Sequence, residues 1–195
     1  MMLKLYADGS STGKVGEGGW AFVILEGDKQ VLELAGGALD TTNNRMELSG
    51  VIEGLRYIYS NYRSDTSITV YSDSQYVIRG ITEWFPKWER GIEKGKKIKN
   101  QDLWIEYKQL VDLFTDIGFE WVKGHSGVES NERCDYLAKE AKLAIKNRQL
   151  EDVGGLLKAA CTWLTSLEDP TTASTADVLA SATHTQKRKR KRQHS

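Results

Sequence analysis

Four acidic residues stand where the sequence predicts the inner ends of core elements. Asp8 ends an alternating apolar and polar stretch near the N-terminus, and Asp73 directly follows a second one. Glu47 lies four residues before Val51, on the apolar face of a predicted helix, and Asp135 borders the apolar face of another. Acids brought together repel one another unless cations compensate them, and sites of carboxylate oxygens suit Mg²⁺ or Mn²⁺. The pattern therefore predicts a divalent-metal site with these four carboxylates as ligands.

Each of these acids also has an ordinary structural explanation. Asp8 precedes a glycine, a pair that is typical of turns. Asn44 and Glu47 fit the N-x-x-E capping box at the start of a helix. Asp73 could be the N-cap of the helix that follows it, and Asp135 could be a first-turn acid favoured by the helix dipole. On the residues alone, these alternatives stay open.

The spacing of apolar residues predicts the elements that have to position the four acids. Alternation indicates strands, and recurrence every three or four residues indicates helices. The strands fall at 3–8, 20–25, 31–34, 68–71 and 119–122, and the helices at 43–62, 74–82, 103–114 and 131–146. Strands that come first and then alternate with helices imply an α/β fold, a mixed sheet with helices packed on it.

The composition predicts a folded domain followed by an extension. With 195 residues and 39% hydrophobic residues, the chain can bury a core and is not wholly disordered. We expect the domain over 1–148 and the extension over 149–195. Within the extension, helical spacing predicts a short helix over 154–168. Its Thr/Ser/Ala-rich remainder, 170–195, is predicted to be disordered.

The formal net charge of zero hides an uneven distribution. Residues 1–150 carry −2, residues 151–186 carry −4, and the six consecutive basic residues 187–192 carry +6. A second basic excess lies at 84–99, where six basic residues accompany two acidic ones. Clustered basic charge is typical of proteins that bind polyanions, although many charge runs are only solvated surface. The run at 187–192 could be a nucleic-acid arm, a targeting signal or a solubilising end, and its partner is unknown.

The sequence also predicts a compartment. Two cysteines without metal-ligand spacing indicate a reducing environment. No apolar run approaches the roughly 20 residues that a membrane-spanning helix needs, and no secretion signal opens the chain. We therefore expect a cytoplasmic protein without a membrane partner, or a nuclear one if 187–192 is an address signal.

Five short motifs occur in one order along the chain. They are Tyr6-Ala7-Asp8-Gly9-Ser10, Thr41-Thr42-Asn43-Asn44-Arg45-Met46-Glu47-Leu48, Tyr71-Ser72-Asp73-Ser74-Gln75-Tyr76-Val77, Val122-Lys123-Gly124-His125-Ser126-Gly127 and Asn131-Glu132-Arg133-Cys134-Asp135-Tyr136-Leu137-Ala138. In this order and spacing they resemble type 1 ribonuclease H, of the bacterial type with a basic protrusion. The resemblance runs from about residue 3 to residue 147.

This resemblance implies a fold and an activity. The fold is the ribonuclease H-like one, a five-stranded mixed sheet with helices packed on both sides. The activity is endonucleolytic hydrolysis of the RNA strand of an RNA–DNA hybrid by two Mg²⁺ ions, which Mn²⁺ can replace, giving 5′-phosphate and 3′-hydroxyl ends. Asp8 would bridge both ions, Glu47 and Asp73 would complete one site, and Asp135 would hold the ion that activates water. The resemblance also implies a monomer.

The resemblance gives His125 a role and implies a set of substrate contacts. His125 would assist proton transfer or product release without binding metal, although a lone histidine is more often structural. The residues implied to contact the minor groove are Ser10, Ser11, Asn43, Asn44 and Gln75. Thr42 would hold a DNA phosphate, and Trp84, Lys87 and Trp88 would belong to a basic handle at 84–99. The sequence departs from the family in its 12–16 loop and in a slightly shorter handle.

Two other functions compete with this interpretation. One is another nuclease of the same superfamily, such as an integrase-like catalytic core, which uses fewer acids and lacks several of these motifs. The other is an inactive module that only binds hybrids, which would not need all four carboxylates. The intact acids favour the enzyme.

Overall fold

The computed structural model describes residues 2–63 and 65–168, with 151–168 as backbone alone. The predicted disorder at 170–195 and the basic run at 187–192 lie outside the described residues. By its internal contacts the chain divides into two parts, Met1–Arg148 and Gln149–Ser195.

Five strands form one mixed sheet, as the sequence pattern predicts. They are β1 (Met2–Ser11), β2 (Gly16–Glu26), β3 (Lys29–Thr41), β4 (Ser67–Ser72) and β5 (Ile117–Trp121). Their order across the sheet is β3-β2-β1-β4-β5. The β1–β2 and β2–β3 pairs are antiparallel, whereas β1–β4 and β4–β5 are parallel. Because β1 and β4 run the same way, the residues that end them meet at one end of the sheet.

The helices are α1 (Asn43–Asn61), α2 (Gln75–Arg79), α3 (Phe85–Glu93), α4 (Gln101–Val111) and α5 (Glu129–Glu168). A π-helical turn, Gly80–Trp84, joins α2 to α3. The helix predicted at 74–82 is therefore shorter and continues through this turn into α3, a helix that is absent from the predicted set although Phe85, Trp88 and Ile92 have helical spacing. Pro86, near the start of α3, suits the first helical turn because that turn has no partner for its missing N–H. Among the described residues, no helix combines the length and apolar character needed to cross a membrane.

The helix α5 differs from its prediction in length. The pattern predicts one helix over 131–146 and another over 154–168, whereas the backbone is helical from Glu129 to Glu168. No proline interrupts the intervening residues. Gly154 and Gly155 each cost about 1 kcal/mol relative to alanine, which weakens a helix without ending it.

Helices cover both faces of the sheet. On one face, Leu5 and Ala7 of β1 pack with Leu55 of α1 and the fully buried Trp104 of α4. On the other face, α5 lies directly on β2, where a Cβ atom at Gly19 would come within 2.1 Å of the Ala138 carbonyl oxygen. The two layers fix α1 and α5 against the strands that carry the acids.

Candidate active site

Asp8 is the buried centre of the site. Its side chain is 6% exposed, on the β1 rung opposite Ala21 of β2. One carboxylate oxygen accepts a hydrogen bond from the Gly9 N–H at 2.7 Å. Burial, together with the nearby charges of Asp73, Asp135 and Glu47, raises the pKa of Asp8 to about 7, although the hydrogen bond from the Gly9 N–H lowers it. Asp8 is thus close enough to each of the other three acids to interact with it electrostatically.

Glu47 is brought to Asp8 by a close approach of α1 to β1. A Cβ atom at Gly9 would lie 2.1 Å from the Glu47 backbone nitrogen, so only glycine fits at this rung. The Glu47 carboxylate accepts one hydrogen bond from the Asn43 side-chain amide at 2.7 Å and another from the Ser74 hydroxyl at 2.5 Å. Burial raises the pKa of Glu47, and Asp73 adds to this, whereas the bonds from Ser74 and Asn43 lower it.

Asp73 follows β4 and is held from two sides. Its backbone carbonyl accepts a hydrogen bond from the Trp121 indole at 3.0 Å, and its carboxylate accepts one from the Asn131 amide at 3.0 Å. Asn131 is 2% exposed, and its own carbonyl oxygen is buried with no hydrogen-bond partner. A polar acceptor of this kind, beside a carboxylate, suits a donor group that arrives with a ligand.

Asp135 reaches the site from α5, six residues after the helix begins. Its carboxylate accepts a hydrogen bond from the Lys139 ammonium group at 2.6 Å, one turn further along the helix. Since α5 starts at Glu129, the alternative that Asp135 is a first-turn acid is wrong.

The other two capping alternatives are also wrong. Thr42 is the N-cap of α1, and its hydroxyl accepts a hydrogen bond from the Arg45 N–H at 3.4 Å. Ser74 is the N-cap of α2, and its hydroxyl accepts one from the Val77 N–H at 3.3 Å. Neither Asp73 nor the Asn44–Glu47 pair performs these tasks. Both acids are therefore left for another function.

The donor set fits a hard divalent cation. Four carboxylates and the orphaned Asn131 oxygen offer only oxygen, the ligand atom that Mg²⁺ and Mn²⁺ prefer. Within the described residues, however, no three carboxylate, imidazole or thiol groups already converge on one point. Two of the acids are turned to protein partners, Glu47 to Ser74 and Asp135 to Lys139. Each carboxylate oxygen has two lone pairs, so these hydrogen bonds leave acceptor sites free for a metal ion.

His125 lies on the loop between β5 and α5. The side chain is exposed, and its backbone has a positive φ of 52°, which is uncommon for a residue other than glycine. The Gly127 N–H donates a hydrogen bond to the Glu132 carboxylate at 2.9 Å, so the loop is tied to the first turn of α5. The same loop approaches Asp73, since a Cβ atom at Gly124 would lie 2.7 Å from its carboxylate.

The polar residues implied to contact substrate surround the acids. Asn43 links β1 to Glu47, because its side-chain oxygen accepts from the Ser11 N–H at 3.1 Å while its amide donates to the Glu47 carboxylate. The Ser10 hydroxyl accepts a hydrogen bond from Lys142 at 2.8 Å. Asn44 is half-buried in α1, and Gln75 is exposed at the start of α2. Thr42 is the α1 cap, so a phosphate contact would use a hydroxyl that already accepts one hydrogen bond.

The basic segment 84–99 contains α3 and packs on an aromatic cluster. Trp84 and Trp88 are half-buried, with ring centroids 5.6 Å apart, and Trp88 lies 5.7 Å from the Trp104 ring. The Arg79 guanidinium lies over the Trp84 ring at 5.4 Å. Lys87, between the two tryptophans in sequence, is exposed. The two tryptophans therefore pack on the body of the domain, and the segment is helical over Phe85–Glu93.

Three residues near the acids carry contacts that the sequence does not indicate. Ser74 binds Glu47, Asn131 binds Asp73, and Lys142 binds Ser10. Asn131 had the clearest signal, because it lies four residues before Asp135 on the same helical face. The other two contacts join distant parts of the chain, and no spacing rule reveals them.

Comparison with known proteins identifies relatives for nearly all of the first part of the chain. Residues 2–142 match the family model described as RNase H. Ribonuclease HI of Haemophilus ducreyi is 43% identical over 155 residues, which cover 78% of this chain and 95% of that protein. The structure of LC9-RNase H1, a type 1 RNase H with the type 2 active-site motif, is 29% identical with a TM-score of 0.65. It covers 73% of this chain and 72% of that one. LC11-RNase H1, solved in complex with an RNA/DNA hybrid, shares the fold at 21% identity, with a TM-score of 0.57 and coverage of 73% and 98%.

Proposed function

The chain belongs to the ribonuclease H family and has its activity, and we propose that it hydrolyses the RNA strand of RNA–DNA hybrids with two divalent metal ions. We assign the ions to Asp8, Glu47, Asp73 and Asp135. The observation that carries this assignment is the burial of Asp8 against three other acids, with only Lys139 paired to the group among the described residues. Mg²⁺ is the proposed ion, with Mn²⁺ as a substitute.

The charge of the site explains the need for metal. Four carboxylates repel the phosphate that has to approach them, and two divalent cations neutralise that charge. When bound, such ions stabilise the attacking and leaving oxygens of an in-line displacement and lower the pKa of bound water. The products would carry 5′-phosphate and 3′-hydroxyl ends.

The protein positions the acids for this task. Asp8 is rigid, because it lies in a central strand and accepts the Gly9 N–H bond. Asn131 orients Asp73, and Ser74 with Asn43 orients Glu47. Side chains locked in this way lose little entropy when ligands bind, which strengthens binding.

His125 is the proposed proton carrier. Its imidazole is exposed on a loop that approaches Asp73, so it can reach solvent and the departing product. An imidazole ring can both accept and donate a proton, which suits proton transfer. It is not assigned as a metal ligand.

Substrate recognition is assigned to the polar rim of the site. Ser10, Ser11, Asn43, Asn44 and Gln75 would contact the minor groove, where the 2′-hydroxyl distinguishes RNA from DNA. Thr42 would contact a DNA phosphate. Lys87, Trp84 and Trp88 would bind the hybrid through the basic segment 84–99, as a cationic and aromatic surface suits a nucleic-acid backbone.

We assign catalysis to residues 1–148, acting as a monomer in the cytoplasm. The extension 149–195 is proposed to be dispensable for the chemistry. A nuclear location would follow only if 187–192 is a targeting signal.

The substrate class is tested with three duplexes of one sequence: RNA–DNA, RNA–RNA and DNA–DNA, each labelled at the 5′ end of one strand. We expect Mg²⁺-dependent internal cuts in the RNA of the hybrid alone. The downstream fragments should accept ligation directly through their 5′-phosphates. Binding of the hybrid without cutting would instead favour the inactive module, and equal cutting of the DNA duplex would favour an integrase-like nuclease.

A further inference from the structure

One flank of α5 carries a row of lysines beyond the acids. Lys139, Lys142 and Lys146 follow Asp135 at intervals of four, three and four residues. These intervals keep side chains on one stripe of an α-helix. Glu140 is turned about 100° away from Lys139 round the helix, so it does not interrupt the row.

The row is fixed to the sheet beside the active site. Lys142 donates a hydrogen bond to the Ser10 hydroxyl at 2.8 Å, and Ser10 lies two residues after Asp8 on β1. The rung that pairs Ser10 with Gly19 is also the point where α5 touches the sheet. A Cβ atom at Gly19 would lie 2.6 Å from the Lys142 backbone nitrogen. The backbone packing of α5, and not a long flexible side chain, therefore places Lys142 there.

Two charges of the row are not neutralised. Lys139 is paired with Asp135. Lys142 is half-buried and donates to the neutral Ser10 hydroxyl, whereas Lys146 is exposed. Neither lysine has an ion-pair partner among the residues that the structure describes. Arg133, on the first part of the same helix, is paired with Glu33. The unpaired charges lie next to a site whose ligand is a polyanion.

The spacing of these charges matches a nucleic-acid strand. Lys142 and Lys146 are one turn apart, about 6 Å along the helix axis. Two nucleotides of a duplex strand advance about 7 Å along its axis. Ser10 is about 7 Å from Asp8 along β1. A strand with one phosphate at Asp8 therefore has further phosphates within reach of this row.

We propose that Lys142 and Lys146 form a second phosphate-binding surface, which holds the RNA strand on the β2 side of the carboxylates. The basic segment 84–99 follows β4 in the chain, and β4 is the neighbour of β1 on the side away from β2. The RNA strand is the partner because its phosphate occupies the metal site, so its neighbouring phosphates are the nearest anions to Lys142. This inference rests on the proposed function.

The test measures hybrid binding by fluorescence anisotropy in EDTA, where cutting is blocked, between 50 and 200 mM salt, that is over roughly a fourfold range. The variants are Lys142→Gln, Lys146→Gln and the double variant. The matched control is Lys29→Gln, an exposed lysine at the β2–β3 turn. Each phosphate that is no longer neutralised should reduce the slope of log affinity against log salt by about 0.9, so the slope of the double variant should fall by about 2. Lys29→Gln should keep the wild-type slope.

A second hybrid identifies the strand. Uncharged methylphosphonate linkages beside the cut in the RNA should lower the hybrid affinity of wild type to that of the double variant. The same linkages in the DNA should leave wild type with the higher affinity. Because Lys146 is exposed, its single variant tests the surface even if Lys142→Gln disturbs α5. The proposal would be overturned if the salt slope of the double variant equalled that of Lys29→Gln. It would also be overturned if neutral linkages in the DNA abolished the difference in hybrid affinity between wild type and the double variant. Failure of the proposed function is separate, since wild type would then not cut the hybrid with Mg²⁺.

Discussion

The burial of Asp8 destabilises the metal-free protein, although the same carboxylate is proposed to bind the metal ions. Its carboxylate is almost fully buried among like charges, which is unfavourable without a cation. The pKa of Asp8 in the folded protein, about 7, lies above its ordinary value of 3.8. The folded state therefore binds more protons than the unfolded state between these values. In the absence of metal, this group favours folding below about pH 4, and that contribution is lost as the pH rises through 7.

Asp8→Asn should therefore stabilise the metal-free protein at pH 8, because it removes the buried charge. The difference from wild type should shrink towards pH 4. Urea unfolding in EDTA across this range measures both effects. Added Mg²⁺ should stabilise wild type but not the variant, because only a cation bound to the native state shifts the equilibrium. If the unfolding free energies of wild type and Asp8→Asn differed by the same amount at every pH, the buried charge of Asp8 would not be what destabilises the metal-free protein.

Ser74 joins the position of Glu47 to the start of α2, since its hydroxyl donates to one and caps the other. Ser74→Ala should lose about 1 kcal/mol of stability from the cap. It should also raise the Mg²⁺ concentration needed for half-maximal activity by about tenfold or more, as loss of a group that orients a metal ligand typically does. Ser74→Thr keeps the hydroxyl and should restore both. A metal requirement unchanged in Ser74→Ala would show that this bond does not orient Glu47.

At the scale of elements, the close approach of β1 to α1 is what brings Glu47 to Asp8. The contact depends on the absence of a side chain at Gly9, where an added Cβ atom would meet backbone atoms that cannot move independently. Gly9→Ala should therefore separate the two elements. By contrast, a Cβ atom at Gly118 in β5 meets nothing within 4 Å.

Gly9→Ala is expected to cost more than 2 kcal/mol of unfolding free energy, about the size of an overpacked core substitution. It should also lower the affinity for Mg²⁺. Gly118→Ala, the matched control, should be nearly neutral in both measurements. Chemical denaturation and metal titration monitored by tryptophan fluorescence would show this. If Gly9→Ala and Gly118→Ala were equally stable, the close contact of β1 with α1 at Gly9 would not be needed to position Glu47.

Some elements of the fold can be predicted from the spacing of apolar residues, and others cannot. The alternation predicts β1 and β4, because each strand is buried on a repeating face, but β1 extends past Asp8 to Ser11, so Asp8 lies within its strand whereas Asp73 follows β4. Helix α3 also has apolar residues at helical spacing, Phe85, Trp88 and Ile92, but the basic residues of the segment 84–99 favour its interpretation as an exposed charged segment. The bonds from Ser74 to Glu47 and from Asn131 to Asp73 span 27 and 58 residues. Such contacts arise only when the sheet brings the elements together.

At the scale of the whole molecule, positive charge is distributed in three places. The basic segment 84–99 follows β4, the lysine row of α5 lies beside β2, and 187–192 lies outside the described residues. Bound divalent ions would add positive charge between the first two. A polyanion would then meet cations along the surface as well as at the centre.

Deletion of residues 187–195 tests whether the basic run contributes to hybrid binding without contributing to the rate of cutting. If the basic run is a nucleic-acid arm, the deletion should reduce the salt slope of hybrid binding, by about 0.9 for each phosphate that the arm neutralises. The rate of cutting at saturating hybrid should stay within about twofold of wild type. An unchanged slope would remove the arm hypothesis and leave a targeting or solubilising role.

The most direct test of the metal site compares wild type with Asp73→Asn on a labelled RNA–DNA hybrid. Asparagine keeps the shape of the side chain and an oxygen that can accept from Asn131, so the fold should persist. We predict that Mg²⁺ supports cutting by wild type and that EDTA abolishes it. Asp73→Asn should cut at least about a hundredfold more slowly, since loss of metal stabilisation worth several kcal/mol corresponds to tenfold for each 1.4 kcal/mol. Cutting by the variant at the wild-type rate, or cutting in EDTA, would contradict the assignment of the four carboxylates.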